Sequence, residues 1–156
     1  MSNKDLSDSL RIARADSDAD ILACLPVMRE LRAYIGDQDD FVAHVRQLQQ
    51  NGYRLAAVWS GDRVVACAGY NIVENLIRGR YLHVEELVTK RSERSNGIGR
   101  CLLQALIQEA RDLHCQALAL ECGLRNSSAH RFYFREGLRI SAFRFAVAFD
   151  APSGSE

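Results

Sequence analysis

Apolar positions recur along this chain with two different periods, and each change of period predicts a new structural element. Two strand-like runs flank Ser60-Gly61-Asp62, which predicts a hairpin of residues 53–59 and 63–73. In segment 97–113 the apolar residues return every three or four positions, as in an amphipathic helix. These residues are Ile98, Leu102, Leu103, Leu106, Ile107 and Ala110.

The remaining patterns predict the order β-α-α-β-β-β-α-β-α-β. The further elements are strands at 10–14, 80–90, 116–122 and about 138–149, and helices at about 17–35, 39–50 and 126–136. Pro26 lies inside the first helical pattern and is expected to kink or split it. We expect disordered ends at 1–8 and 151–156, with residues 9–150 forming a single domain.

Composition narrows the classes of function. The chain has 156 residues, with 20 Lys and Arg against 20 Asp and Glu, so no net charge favours nucleic acid or an anionic membrane. The five cysteines lack metal-site spacing, and we predict no metal. No apolar run reaches transmembrane length, and residues 1–9 lack the apolar core of a signal peptide. A cytoplasmic protein is therefore expected.

The most informative segment is the loop Arg94-Ser95-Asn96-Gly97-Ile98-Gly99, which lies between the long strand and the amphipathic helix. Gly97 and Gly99 carry no side chains, so backbone N–H groups at the helix start can close around an anion. The positive end of the helix dipole favours the same anion. Neither a dinucleotide-binding G-x-G-x-x-G nor a P-loop is present.

A second pattern follows the strand at 116–122. Asn126 is a good N-cap, and Gly137 closes a short helix that carries Ala129, Phe132 and Tyr133. With the loop at 94–99 and the N-x-x-A-x-x-F-Y-x-x-x-G pattern at 126–137, the chain resembles the GNAT superfamily of acetyl-CoA-dependent N-acetyltransferases. Residues around 129–137 and Phe143-Arg144-Phe145 are locally similar to the aminoalkylphosphonate N-acetyltransferases.

The resemblance implies an α/β (α+β) GNAT fold, with a mixed central sheet of six to seven strands and about four helices. It also implies acetyl-CoA as co-substrate, held where two central strands separate. The positions that match the cofactor site are Leu87, Val88, Thr89, Arg94, Ser95, Asn96, Gly97, Ile98, Gly99, Arg100 and Asn126. The residue after Arg94 is often glycine in the family, and here it is serine.

Catalysis by direct attack of an amine on a thioester needs a base for the amine and an acid for the sulfur. Tyr133 matches the family's tyrosine acid. Glu85 and His83, two residues apart on one strand, share a face and are the candidate bases, with Glu85 ranked first and water as a relay or substitute. The same alternation is expected to turn Glu86 to the other face.

The acceptor is expected to be a primary amine of a small molecule. Asp37, Asp39 and Asp40 could attract a cation, although an acidic helix start explains them better. An anionic group on the substrate could instead meet Arg78, Arg80, His130, Arg131 or Arg135. The alternatives are a protein or peptide N-acetyltransferase and a non-catalytic acyl-CoA-binding module. The resemblance also implies a homodimer.

Overall fold

Within residues 10–149, five strands form one mixed sheet in the order β1-β2-β3-β4-β5. They are β1 (Leu10–Arg14), β2 (Arg54–Ser60), β3 (Arg63–Asn75), β4 (Gly79–Thr89) and β5 (Ala117–Leu120). The first four pair antiparallel, and β5 joins β4 in parallel. This computed structural model describes residues 10–149, which form two compact units that divide between Glu121 and Cys122.

Four α-helices accompany the strands in the described part of the chain. They are α1 (Asp18–Leu31), α2 (Gln38–Gln50), α3 (Ile98–Asp112) and α4 (Ser127–Arg135), and a short 3-10 turn covers Arg91–Glu93. Ser17 caps α1 and Asp37 caps α2, each by accepting a backbone N–H bond from the residue three positions on. Helix α1 is continuous through Pro26, so the expected split does not occur.

The sheet of the first unit has a separate apolar core on each face. Ile21, Phe41 and Val45 of α1 and α2 pack against Trp59 and Val88 on one face. On the other face, the apolar side of α3 covers Val58, Tyr70, Leu82 and Val84. The α3 residues in this core are Ile98, Leu102, Leu106 and Ala110, so the predicted amphipathic face is the buried one.

Among the described residues the sheet has five strands, so the expected number of six to seven was wrong. The difference lies mainly in residues 138–149, where the apolar pattern predicted a final strand and the structure has none. A strand requires a neighbour whose backbone completes its hydrogen-bond ladder. Within residues 10–149, no segment pairs with 138–149.

The expected disordered ends lie outside the described residues. None of the helices within residues 10–149 has the length and apolar character needed to cross a membrane.

Candidate active site

The loop before α3 presents backbone N–H groups rather than side chains. Ser95 and Gly97 both have positive φ, 69° and 78°, and α3 begins directly after Gly97. No side chain caps this helix, and its first turn has no acidic residue. The first N–H groups of α3 therefore keep their hydrogen-bonding capacity for an anion.

Positive φ also explains why glycine is common after the arginine in the resembling family. Ser95 adopts the left-handed conformation that glycine reaches without steric cost. Arg94 is held beside the strand end, because its Nε donates to the carbonyl of Thr89 at 3.2 Å. A Cβ placed on Gly97 would meet no atom within 4 Å, so the space over the loop is open.

Strand β4 has a free backbone edge next to this loop. It pairs with β3 up to Thr89, but it pairs with β5 only at Tyr81–Val84. Within the described residues, positions 85–89 thus have no ladder partner on the β5 side. The three predicted pantetheine positions, Leu87, Val88 and Thr89, lie on this part of the strand.

A β-bulge at Glu85 changes which side chains of β4 face α1 and α2. Gly69 pairs with Glu86 and Tyr70 with Val84, so Glu85 is an extra residue without a partner on β3. Val84 accordingly packs with α3, whereas Val88 packs with α1 and α2. The expectation that Glu86 faces away from Glu85 was wrong, because the bulge shifts the alternation by one residue.

Both glutamates line a recess of about 380 Å³ on the α1/α2 side of the sheet. Its other lining residues are Leu48, Asn51, Tyr53 and Asn71. A recess of about 460 Å³ between α1 and α2 is larger, but it contains none of the predicted site residues. Arg46 and Asp18, which both line this second recess, form an ion pair of 2.7 Å. We interpret the second recess as structural.

His83 and Glu85 form a hydrogen-bonded pair. The Nδ1 atom of His83 lies 3.0 Å from Oε1 of Glu85, and Asn71 Nδ2 donates to the same oxygen at 3.2 Å. Because an ionised carboxylate only accepts, Nδ1 carries the proton in this contact and Nε2 is left as the basic nitrogen. The structure therefore brings the two candidate bases together, with Glu85 orienting the imidazole.

Glu86 is the more buried carboxylate, with 19% of its side chain exposed. Tyr53 Oη donates to its Oε2 at 2.8 Å, and Arg32 Nε lies 3.9 Å from its Oε1. Burial raises the pKa of Glu86, and the tyrosine and arginine offset part of this rise. Burial and the neighbouring Glu86 likewise raise the pKa of Tyr53.

Gly69 provides the space for the contact between Tyr53 and Glu86. A Cβ at this position would overlap both Tyr53 Oη and Glu86 Oε2. Sequence reasoning missed Tyr53, Asn71 and Glu86, since their convergence depends on the bulge. A glycine inside an otherwise apolar strand was the signal that could have indicated it.

Tyr133 and Asn126 belong to the second unit, on and before α4. Asn126 Oδ1 accepts the backbone N–H of Ala129 at 3.2 Å, so it is an N-cap. Gly137, at φ 87°, ends the helix, and Leu138 N–H donates to the carbonyl of Tyr133. Burial, together with the nearby Cys122 thiol, raises the pKa of Tyr133 to about 12. The phenol therefore stays protonated at neutral pH.

The charged side chains that were considered for binding a charged group of the substrate mostly make local contacts. Asp37 caps α2, with Asp39 and Asp40 in the first turn of that helix. Arg78 lies over the ring of Tyr81, Arg135 over Phe132, and His130 Nε2 contacts the carbonyl of Gly123 at 2.9 Å. Among residues 10–149, no group of three His, Cys, Asp or Glu side chains is arranged to hold a metal ion.

Comparison with known proteins agrees with this geometry. Residues 22–137 match the model of the acetyltransferase (GNAT) family. The uncharacterized N-acetyltransferase YhdJ of Bacillus subtilis (strain 168) is 30% identical over 122 residues, which cover 77% of this chain and 85% of that protein. The aminoalkylphosphonate N-acetyltransferase of Salmonella typhimurium is 28% identical over 134 residues, 85% of each chain.

The fold is also shared with solved structures. AAC(6')-Iy in complex with the bisubstrate analogue CoA-S-monomethyl-acetylneamine superposes with a TM-score of 0.75 at 12% identity. The alignment covers 91% of this chain and 99% of that one. Because the family model covers residues 22–137, this chain belongs to the GNAT family of acetyltransferases. Within that family, its relatives and its GNAT domain identify it as an N-acetyltransferase.

The burial of Glu86 predicts a pH-dependent stability. Its folded pKa lies above the ordinary 4.5, so the folded state holds the proton more tightly than the unfolded state does. That contribution is present below pH 4.5 and is lost as pH rises through the folded pKa. The melting temperature of Glu86→Gln, minus that of the wild type, should therefore increase from about pH 4 to about pH 7.

Glu85→Gln is the matched control, because Glu85 is adjacent and 41% exposed. The melting temperature of Glu85→Gln, minus that of the wild type, should not increase with pH in this way. A difference for Glu86→Gln that stays flat or decreases with pH would contradict the assignment of Glu86 as the desolvated carboxylate.

Proposed function

We propose that this enzyme transfers the acetyl group of acetyl-CoA to a primary amine of a small molecule. The observation that carries the proposal is the uncapped N-terminus of α3, which lies beside the free edge of β4. These two features provide an anion site and a row of backbone donors. The carboxylate-lined recess is on the same strand, on its α1/α2 side.

The residues present fit acetyl-CoA. Positions 94–100 would hold its pyrophosphate through backbone N–H groups, with Arg94 and Arg100 supplying positive charge. The stretch Leu87, Val88 and Thr89 would bind the pantetheine arm and the acetyl carbonyl through those of its backbone groups that point away from β3. AAC(6')-Iy, which shares the fold, was solved with a CoA-containing analogue, and this supports the assignment. Bound there, the co-substrate supplies an activated thioester.

The recess supports an amine acceptor. Two carboxylates, a phenol and two amides line it, and no Lys or Arg is among the lining residues. An ammonium group gains charge-assisted hydrogen bonds in such surroundings, whereas a phosphonate or carboxylate would be repelled. A volume of about 380 Å³ suits the amino end of a small molecule.

His83 is proposed as the base and Glu85 as the residue that orients it. His83 Nε2 takes the proton from the amine, directly or through water, and the nitrogen then bonds to the thioester carbonyl carbon. The carbon–sulfur bond breaks, and Tyr133 donates its phenolic proton to the departing sulfur. A hydroxyl with a pKa of about 12 holds its proton until a thiolate forms nearby.

The proposal also covers the anionic group of the acceptor, the role of Asn126 and the location of the protein. The aminoalkylphosphonate N-acetyltransferase from Salmonella supports an acceptor whose amine is joined to an anionic group. That group would bind outside the recess, because Glu85 and Glu86 repel it. Asn126 is kept as a cofactor contact through its amide nitrogen, since its Oδ1 caps α4. A cytoplasmic location is also part of the proposal.

The function can be tested with a panel of amines. Loss of the acetyl-CoA thioester absorbance would be followed with aminoalkylphosphonates, polyamines, amino acids, N-terminal peptides and an amine-free blank. At least one small amine should give turnover above the peptides and the blank. Turnover with peptides alone would contradict a small-molecule acceptor. Acetyl-CoA binding without turnover on any amine would contradict the proposed reaction.

Tyr133→Phe should lower kcat by about 100-fold, because general acid catalysis typically contributes at least that much. The dissociation constant of acetyl-CoA should change little, since the ring is retained. Tyr34→Phe is the control, because Tyr34 is an exposed tyrosine that contacts Arg32. Unchanged turnover in Tyr133→Phe would contradict its role as the acid.

The base assignment predicts unequal effects of substitutions on β4. His83→Ala should reduce kcat/KM by about 100-fold, because it removes the group that accepts the proton. Glu85→Gln should have a smaller effect, since the imidazole remains and loses only the carboxylate that orients it. His114→Asn, at an exposed histidine, should behave as the wild type. Wild-type kcat/KM in His83→Ala would exclude His83 as the base.

A further inference from the structure

A long-range hydrogen bond connects the end of helix α1 to the segment that precedes the loop at 94–99. Oε2 of Glu30 accepts the backbone N–H of Arg91 at 2.6 Å, across 61 positions of the chain. Arg91 is the first residue of the 3-10 turn, which leads directly into the loop. Glu30 lies in the last turn of α1, next to its final residue Leu31. The bond therefore joins the α1 side of the sheet to the proposed co-substrate site.

We propose that Glu30 is a positioning residue for acetyl-CoA, and that its carboxylate holds the 3-10 turn so that the loop after it presents its N–H groups to the pyrophosphate. This inference rests on the proposed function, in which residues 94–100 hold the pyrophosphate. Glu30 acts through the backbone of Arg91 and not on the reacting groups. Its loss should therefore weaken binding of the co-substrate and leave the chemical step unchanged.

The helix dipole disfavours an acidic side chain at the position of Glu30. The C-terminal end of a helix carries partial negative charge, so a cation is preferred in the last turn and a carboxylate is destabilising. Arg29 follows this preference, and its guanidinium donates to the carbonyl of Gly36 at 2.7 Å. The bond from Arg91 N–H offsets the cost for Glu30, because hydrogen bonds to a carboxylate are strong. Such a departure from a local rule indicates a tertiary role.

The 3-10 turn needs an acceptor from outside itself. The first N–H groups of a helix have no partner within it, and the side chain of the N-cap residue Lys90 makes no bond to the turn. Glu93 N–H donates to the carbonyl of Lys90 at 2.8 Å, which closes the turn. Glu30 supplies the acceptor for the N–H of Arg91.

Neighbouring bonds fix the chain on both sides of Arg91. Lys90 N–H donates to the carbonyl of Val65 on β3 at 2.8 Å, so the chain that leaves β4 stays bonded to the sheet. Arg94 Nε donates to the carbonyl of Thr89 at 3.2 Å. With Arg91 bonded to α1 between these contacts, the direction in which the chain enters the loop is set before a ligand binds. Donors that are ordered in advance lose little conformational freedom on binding.

Charge and position predict opposite effects for the loss of Glu30. The carboxylate contacts the turn before a loop that is proposed to bind phosphates. On electrostatic grounds alone, removing its negative charge should therefore strengthen the binding of acetyl-CoA. Removing a hydrogen bond that orders the loop should weaken it. The sign of the change in the dissociation constant thus separates the two effects.

The test measures the dissociation constant of acetyl-CoA by calorimetry, which needs no acceptor amine. In Glu30→Ala the constant should rise by about 10-fold, the effect of losing a hydrogen bond to a charged group. Glu30→Gln keeps an acceptor oxygen and should bind acetyl-CoA at least as tightly as the wild type. With an active amine, kcat of Glu30→Ala at saturating acetyl-CoA should stay within about two-fold of the wild type. Circular dichroism should show that both variants are folded.

Variants of Arg91 test the bond itself. Lys90 has φ −49° and ψ 132°, a conformation that suits the residue before a proline. Proline is also favoured at the first position of a helix, where it removes the N–H without breaking an internal bond. Arg91→Pro therefore deletes the donor, and Arg91→Ala is the matched control that keeps it. Adding Glu30→Ala should raise the dissociation constant about 10-fold in the Arg91→Ala background and leave it unchanged in the Arg91→Pro background.

Three outcomes would overturn the inference while the proposed function stands, because the wild type would still bind acetyl-CoA. The first is unchanged or tighter binding in Glu30→Ala, and the second is a fall in kcat without a change in the dissociation constant. The third is an equal effect of Glu30→Ala in both Arg91 backgrounds, since the effect would then not pass through the N–H of Arg91. A wild type that does not bind acetyl-CoA would overturn the inference and the proposed function together.

Discussion

The unequal pairing of β4 with its two neighbours is the constraint on which the candidate site of the first unit depends. Backbone bonds to β3 continue to Thr89, whereas bonds to β5 stop at Val84. The sheet therefore holds the strand from one side, and the backbone groups of residues 85–89 that point away from β3 have no strand partner among the described residues. A ligand bound along this edge would complete a ladder that the protein itself leaves unfinished. The uncapped N-terminus of α3 follows a few residues later, so the anion site is covalently close to that edge.

The bulge at Glu85 brings both carboxylates of the same strand to one face of the sheet. A regular strand would direct Glu85 and Glu86 to opposite faces, and one of them would meet the apolar side of α3. With one extra residue, both carboxylates lie on the recess side, where His83, Asn71 and Tyr53 are their hydrogen-bond partners. Burying Glu86 beside Glu85 costs stability, because burial and the neighbouring negative charge disfavour the charged form of Glu86 and raise its pKa. Such a cost is typical of functional sites, where pKa values are adjusted at the expense of stability.

Local pattern was sufficient to predict most of the fold. The hairpin, the face of α3 that is buried, the cap at Asn126 and the closing Gly137 all depend on residues near one another in the chain. The missed features depend on tertiary pairing. Alternation could not place Glu86, since the bulge is defined by the register of β3 against β4. It also predicted a strand at 138–149, because an apolar pattern reports what a segment can form and not whether a neighbour is present to pair with it. Pro26 was expected to kink or split α1, and the helix is not split. Its residues Ile21, Cys24, Leu25, Val27 and Met28 are buried, and this tertiary packing outweighs the local penalty of the proline.

The open stretch of β4 differs from the outer edges of the sheet, which lie at β1 and β5. Residues 85–89 belong to a strand that is bonded to β3 along the same stretch, and the loop that follows holds Ser95 and Gly97 in left-handed backbone. The donors of this stretch and the first N–H groups of α3 are therefore fixed in place before a ligand arrives. Because donors that are already ordered lose little conformational freedom on binding, this part of the sheet suits an extended ligand with an anionic group.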